Sequence, residues 1–205
     1  MNSTYFITGI GTDVGKTIVS AILVEALKAD YWKPIQAGEL DNSDSDSVRR
    51  LVSNSKTVYH KSAFDLETPM SPHAAADIDS VCIEACNIKR PKTNNKLVIE
   101  GAGGLLVPLN DSETVLDLIK GTDQVIVVSR HYLGSINHTL LSVNMLKQRG
   151  LSVFGVVFSG AKHTTTEAII EKMAGVPILG RIDEEPYFDK NVVKEYASLL
   201  ELKLK

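Results

Sequence analysis

A glycine-rich turn near the N-terminus constrains this chain more than any other stretch. The segment "TYFITGIGTDVGKT" (residues 4–17) runs from an apolar β-like stretch through Gly9, Gly11 and Gly15 into Lys16 and Thr17, where a helical pattern begins. A strand feeding a helix through such a turn aims free backbone N–H groups and the positive helix end at one point, which suits phosphate oxygens. Lys16 is placed to reach the outer phosphates of a nucleotide, and the Thr17 hydroxyl to face Mg2+. The spacing departs from the common G-x-x-x-x-G-K-[ST] pattern. Counting back from Gly15, the expected glycine position holds Ile10, with Gly9 one residue early and Gly11 one late. The loop is therefore a phosphate-binding loop lengthened by one residue.

Beyond the loop, short apolar runs alternate with segments of helical period. Strands are expected at "TYFIT", "YWKPI", "KLVIEGAGG", "DQVIVVS", "SVFGVVFSG" and "PILGRI". Helices are expected over 15–29, in "DSDSVRRLVSN" with Asp44 or Ser45 as its cap, over 79–88, in "TVLDLIK", and over 136–149, 164–174 and 189–202. Residues 56–72, which hold Pro69 and Pro72, read as less regular. The strands at 97–99, 125–128 and 153–158 are apolar throughout rather than alternating, the pattern of a parallel sheet covered by helices on both faces. These features predict an α/β fold: one domain over residues 1–205, in three layers (α/β/α) around a mostly parallel sheet. Ligand is expected at the C-terminal ends of the strands.

Composition narrows the classes. The 205 residues carry a formal net charge of −3 without a basic cluster, which speaks against a nucleic-acid surface. Cys82 and Cys86 fall four residues apart on the helix expected over 79–88, a spacing that serves packing, and no other cysteine exists to complete a four-thiolate zinc site. The N-terminus shows no basic-then-apolar signal pattern, and no apolar run reaches membrane-spanning length. A reduced, cytoplasmic protein with no membrane partner is expected.

Other residues carry chemistry by type and position. Lys33 lies between Trp32 and Pro34, so its backbone is extended, and at the exit of the second strand it points toward the phosphate crevice beside Lys16. Two lysines facing a nucleotide would stabilise a phosphoryl group in transit. Glu100 closes an apolar strand ahead of Gly101-Ala102-Gly103-Gly104, the position of a carboxylate that faces Mg2+ across from a phosphate loop. A second acid comes from Asp46, with Asp44 competing for the same role. Thr17, Asp46 and Glu100, with phosphate oxygens and water, would form an octahedral oxygen site for Mg2+. At "LGSINHT", Ser135 or Asn137 can cap a helix whose free N–H groups suit a carboxylate.

Several blocks together resemble the dethiobiotin synthetase family. Besides the expanded loop "GIGTDVGKT", these are "WKPIQAG" (32–38), "SDSDSVRRL" (43–51), "MSPHAAA" (70–76), "VIEGAGGLLVPL" (98–109) and "LGSINHTLL" (133–141), in the family's order within residues 1–160. The remaining C-terminal residues match only in general character. The alignment of the "SDSDSVRRL" helix favours Asp46 over Asp44. The resemblance implies a P-loop NTPase-like fold. It also implies ATP- and Mg2+-dependent closure of the ureido ring of dethiobiotin from 7,8-diaminononanoate and CO2, through a carbamate and its phosphorylated form. Lys16, Lys33, Thr12 and Asp13 are implied as catalytic. Asp13, Val14, Gly15, Lys16, Thr17, Ile18 and Ser159 are implied as nucleotide-binding. Thr12, Lys33, Ala37, Pro72, Gly103, Gly134, Ser135, Ile136 and Asn137 are implied as substrate-binding, the last four across a homodimer interface. Three positions depart from the family's habit: Ala37 replaces a hydroxyl residue, Asp13 replaces Glu, and Ser159 replaces an Asn that reads adenine.

Two other classes share this kind of loop. Partition and division-site ATPases carry a signature lysine five residues before the loop lysine, where this chain has Gly11. Cobyrinate-type amidotransferases need a glutaminase part, for which 205 residues leave no room.

Overall fold

A computed structural model describes residues 3–204; residues 1, 2 and 205 of the expected domain lie outside the described residues. In chain order the elements are β1 (Thr4–Gly9), α1 (Lys16–Leu27), β2 (Asp30–Trp32), β3 (Ile35–Ala37), α2 (Asp44–Leu51), β4 (Tyr59–His60), β5 (Phe64–Leu66), α3 (Pro72–Ile78), β6 (Leu97–Gly104), β7 (Gln124–Arg130), α4 (Ser135–Gln148), β8 (Val153–Ser159), α5 (Thr164–Ala174), β9 (Ile178–Ile182) and α6 (Lys190–Glu201). Seven strands form one sheet in the order β4-β2-β6-β1-β7-β8-β9, and every pairing in it is parallel.

The strand pleat sorts side chains onto two faces. Phe6, Ile99, Val125, Val127 and Phe158 join one core cluster, together with Val143 and Leu146 of α4 and Ile170 of α5. Their neighbours Tyr5, Ile7, Val98, Ile126 and Val157 join a second, with Ile22 and Leu23 of α1 and Val193 and Leu200 of α6. Two cores on opposite faces of one sheet make three layers, as the continuously apolar strands predict. Because all strands run the same way, their C-terminal ends share one edge, where the loops after β1, β2, β6, β7 and β8 gather.

Local chemistry departs from the expected elements in places. "YWKPI" is two strands rather than one. Pro34 has no N–H for a ladder, so β2 ends at Trp32 and β3 leaves the main sheet to pair with β5. The short strands β4 and β5 lie within the stretch read as irregular. The cap of α2 is Ser43, not Asp44 or Ser45: its hydroxyl accepts from Asp46 N, and Asp46 Oδ2 accepts in turn from Ser43 N, a reciprocal capping box. The helix expected over 79–88 does not form. Pro72 starts α3 earlier, at a position that needs no N–H. Ser80, at φ 55°, then breaks the helical path, and only a 3-10 turn at Ala85–Asn87 follows. Side chains of the neighbouring loop hold this segment instead, with Asn110 Nδ2 donating to Ile83 O and Ala85 N to Glu113. Cys82 and Cys86 are exposed, not packed. "TVLDLIK" likewise shrinks to a 3-10 turn at Val115–Leu118, capped by Thr114 and Asp117.

Candidate active site

Parallel register builds the centre of the site. Tyr31 pairs with Val98 and Trp32 with Ile99, so the next step of the two strands sets Lys33 beside Glu100. Their side chains leave the sheet on the face of Tyr31 and Val98, the face covered by α1. Lys33 Nζ lies 2.7 Å from Asp44 Oδ2 and 3.1 Å from Glu100 Oε1. Thr17 Oγ1, in the first turn of α1, lies 2.9 Å from Asp44 Oδ1 and 3.0 Å from Glu100 Oε1. Tyr31 donates its hydroxyl to the other Glu100 oxygen at 2.9 Å. Lys16 folds back to donate to Gly11 O at 3.0 Å.

Burial makes these charges interact strongly. Lys16, Lys33 and Glu100 are all under a tenth exposed. Burial pushes the Lys16 ammonium down to about 8, Lys33 nearby adding to the effect and Glu100, Asp44 and Asp13 opposing it. Burial alone would lower Lys33 too, but Glu100 and Asp44 outweigh it and hold its ammonium above the ordinary lysine value. Asp44 shows the converse: burial pushes its carboxyl up, and Lys33, with the hydrogen bonds from Lys33 and Thr17, brings it below the usual carboxylate value. Burial and the Glu100 charge push the Tyr31 phenol well above its ordinary value.

A cavity of about 700 Å3 opens over this cluster at the C-terminal strand edge. Thr12, Asp13, Gly15, Lys16, Thr17, Ile18, Lys33, Ala37, Pro72, Glu100 and Gly103 all line it, as does Asp44. Thr12 lies against Gly103 in this lining: a Cβ on Gly103 would stand 3.6 Å from Thr12 Oγ1. A second cavity of about 390 Å3 adjoins the loop and is lined by Ser159 with Gly15, Ile18, Arg130 and Phe188. Val14 points the other way, into the core under the loop. Gly134, Ser135, Ile136 and Asn137 are absent from the lining of the large cavity. They form the N-terminal turn of α4 and its glycine cap at φ 108°, beside a fully exposed Leu133.

Asp46 is the one expected metal ligand that the fold carries away. Its carboxylate is engaged by Ser43 and by Arg49 at 3.1 Å, on the exposed side of α2. Asp44, one position into the helix, points inward to Thr17 and Lys33. The two acids differ by more than half a helical turn, so only one can face the crevice. Tyr31 escaped the sequence reading, although its place two residues before Lys33 on a strand puts both on one face. Gln36 escaped it too; its Oε1 accepts from Asp44 N at 3.2 Å and helps seat that residue.

The oxygen set suits a hard divalent cation. Thr17 has one proton for two carboxylate oxygens at hydrogen-bond distance, so its hydroxyl gathers with the Asp44 and Glu100 carboxylates as a cluster of oxygen donors, whose charge Lys33 balances. Among the described residues no group of three or more His, Cys, Asp or Glu side chains is gathered for a metal. A cation here would therefore complete its shell with ligand oxygens and water, as Mg2+ does with phosphates.

A phosphate loop of this geometry, opposed by an acid at a strand end within a parallel sheet, defines a nucleotide-binding α/β protein of the P-loop class. The AAA domain family profile matches residues 3–192. The septum site-determining protein MinD of Pyrococcus horikoshii, in complex with Mg-ADP, superposes with a TM-score of 0.65 over 99% of this chain and 95% of that one. At 16% identity that likeness is one of fold alone. Sequence similarity is much closer to the ATP-dependent dethiobiotin synthetase BioD of Christiangramia forsetii, 65% identical over 96% of this chain and 95% of the relative. The enzyme of the same name from Cytophaga hutchinsonii is 51% identical over 94% of each. The chain belongs to the ATP-dependent dethiobiotin synthetase family.

Proposed function

We propose that this crevice closes the ureido ring of dethiobiotin, a step of biotin biosynthesis, joining CO2 to 7,8-diaminononanoate at the expense of ATP. The observation that carries the reading is the convergence of Lys16, Lys33, Thr17, Asp44 and Glu100 on one cavity bordered by Thr12, Asp13 and Gly103. One amine of the substrate takes up CO2 as a carbamate. The carbamate oxygen attacks the γ-phosphorus of ATP, and ADP leaves. The second amine then attacks the carbamoyl carbon, expelling phosphate and closing the ring. Such chemistry needs little covalent help from the protein; it needs reactants held in line and charge neutralised as it moves.

The residues divide that work. The amides of the 11–17 loop and Lys16 hold the phosphate chain. Thr17, Asp44 and Glu100 would hold Mg2+, which when bound would neutralise charge on the β- and γ-phosphates. Lys33 stabilises the phosphoryl group in transit and the carbamate oxygen that attacks it. Thr12 and Asp13 stand at the diamine end, where the Asp13 carboxylate attracts an ammonium or helps remove its proton. Pro72 and Gly103 shape the substrate wall, and Ala37 leaves room there without the family's usual hydroxyl. Ser159, in the adjoining cavity, meets the nucleobase; a hydroxyl makes fewer contacts than the usual amide. Two chains pair through the N-terminal end of α4, where Gly134, Ser135, Ile136 and Asn137 receive the substrate's distal carboxylate from the partner's cavity. The working compartment is the cytoplasm. No helix among the described residues is long and apolar enough to cross a membrane.

Purified protein supplied with ATP, Mg2+, bicarbonate and 7,8-diaminononanoate should release phosphate and form dethiobiotin. Phosphate release no faster than without the diamine would overturn the proposal. A partition-type switch, the fold's other association, is disfavoured by Gly11 at the signature-lysine position.

A further inference from the structure

Among the described residues the buried Lys33 ammonium meets three protein oxygens: Asp44 Oδ2 at 2.7 Å, Glu100 Oε1 at 3.1 Å and Gly101 O at 3.3 Å. The two carboxylates are the same pair that flank Thr17 Oγ1. The overlap extends to a single atom. Glu100 Oε1 is contacted by both Lys33 and Thr17, while Tyr31 takes Glu100 Oε2. A divalent cation ligated by Thr17, Asp44 and Glu100 therefore needs the lone pairs that the ammonium uses, and its charge would repel the ammonium at such short range. Lys33 cannot retreat by moving its backbone, which is fixed between β2 and Pro34. Its side chain has somewhere to go, because Lys33 is among the residues that line the large cavity, as are Ala37 and Gly103.

We propose that Lys33 is the internal counter-ion of the Mg2+ site: its ammonium holds Asp44 and Glu100 together until a metal–nucleotide complex displaces it into the cavity, where it meets the phosphoryl group. This rests on the reading of the crevice as a metal–nucleotide site. Two consequences follow from the shared oxygens. The bare cation binds weakly, because it must evict a paired ammonium and gains no phosphate oxygens in return. The lysine is delivered to the reacting group only once the nucleotide is seated, so metal loading and charge stabilisation become one event.

The probe is Mn2+ without nucleotide, free ion being counted by electron paramagnetic resonance. Lys33→Met should bind Mn2+ roughly tenfold or more tightly than the unaltered protein, since it leaves the buried Glu100 and the partly exposed Asp44 without their cation. Adding Asp44→Asn to Lys33→Met should abolish the gain. Equal Mn2+ affinities in the unaltered and Lys33→Met proteins would overturn the proposal. Should Lys33→Met fail to fold, the unaltered protein decides the matter through a crystal structure with Mg2+ and a non-hydrolysable ATP analogue. There the Lys33–Asp44 ion pair must be open, and an intact pair beside bound metal overturns the proposal. Neither readout uses the diamine, so a protein that shows both effects yet makes no dethiobiotin supports this role for Lys33 and refutes only the substrate assignment.

Discussion

Gly15 sits directly under Ser159: a Cβ built on it would stand 2.7 Å from the Ser159 hydroxyl, and its φ of 92° lies in the left-handed region. The end of β8 thus leaves no room for a side chain at this point of the phosphate loop. Gly15→Ala should weaken nucleotide binding by about tenfold or more, and the strained backbone should cost about 1–3 kcal/mol in stability. Adding Ser159→Gly should restore only part of the affinity, because it removes the clash but not the strain. Calorimetric titration with a non-hydrolysable ATP analogue checks both.

The two acids of α2 should separate cleanly. Asp44→Asn removes a carboxylate that faces Thr17 and Lys33, and turnover should fall by roughly a hundredfold or more, with a raised Mg2+ requirement. Asp46→Asn breaks the return half of the capping box and should leave turnover nearly unchanged while costing about 0.5–1 kcal/mol in stability. Phosphate release over a Mg2+ series and urea unfolding of both variants test this. A larger activity loss from Asp46→Asn would return the metal role to that residue.

Lys33→Ala should cut turnover by roughly 10²–10³ while nucleotide affinity changes only a few-fold, because the role assigned to the ammonium belongs to the transition state. Single-turnover phosphate release beside equilibrium nucleotide binding separates the two quantities. Parallel losses in both would make Lys33 a simple binding residue.

Leu133 is fully exposed, with Tyr132 exposed beside it and Leu141 exposed further along α4. Exposed apolar side chains at the start of this helix and along it suit a buried contact between copies. Leu133→Glu should shift sedimentation toward the monomer and raise KM for the diamine, leaving nucleotide affinity intact. A protein that sediments as a monomer before any substitution would remove the shared site from the account.

Acid stability should depend on Glu25 of α1. Burial would raise its carboxyl, but hydrogen bonds from Ser53 N, Ser53 Oγ and Asn54 N outweigh burial and hold it below the ordinary value. A group whose folded value is depressed stabilises the fold above its unfolded value, about 4.3 for glutamate, and loses that contribution as pH falls through the folded value. Glu25→Gln should therefore destabilise at neutral pH, and the gap to the unaltered protein should close on acidification. Urea midpoints at about pH 7 and about pH 3 measure the gap; a gap that stays constant would mean that the charge contributes nothing.

Local order along the chain was enough to predict the frame of the protein. The apolar runs at 97–99, 125–128 and 153–158 predict a parallel sheet because a strand covered on both faces has no polar side to show. The turn from Gly9 to Thr17 predicts a phosphate site because its glycines, lysine and threonine are neighbours in sequence as well as in space. Contacts between distant segments decided the rest. Pro34 breaks a run that reads as one strand, and the second half finds a partner in Phe64–Leu66, which no local pattern announced. Ser80 and the side chains of Asn110 and Glu113 keep 79–88 from becoming the helix that its spacing suggests. The meeting of Lys33 with Glu100 comes from the register of β2 on β6, and their meeting with Asp44 from the angle at which α2 docks. Asp44 and Asp46 look equivalent along the chain, both acids in the first turn of one helix. Once Ser43 caps that helix and engages Asp46, the same rotation turns Asp44 toward Thr17, and a helix can present only one of those two positions to the crevice.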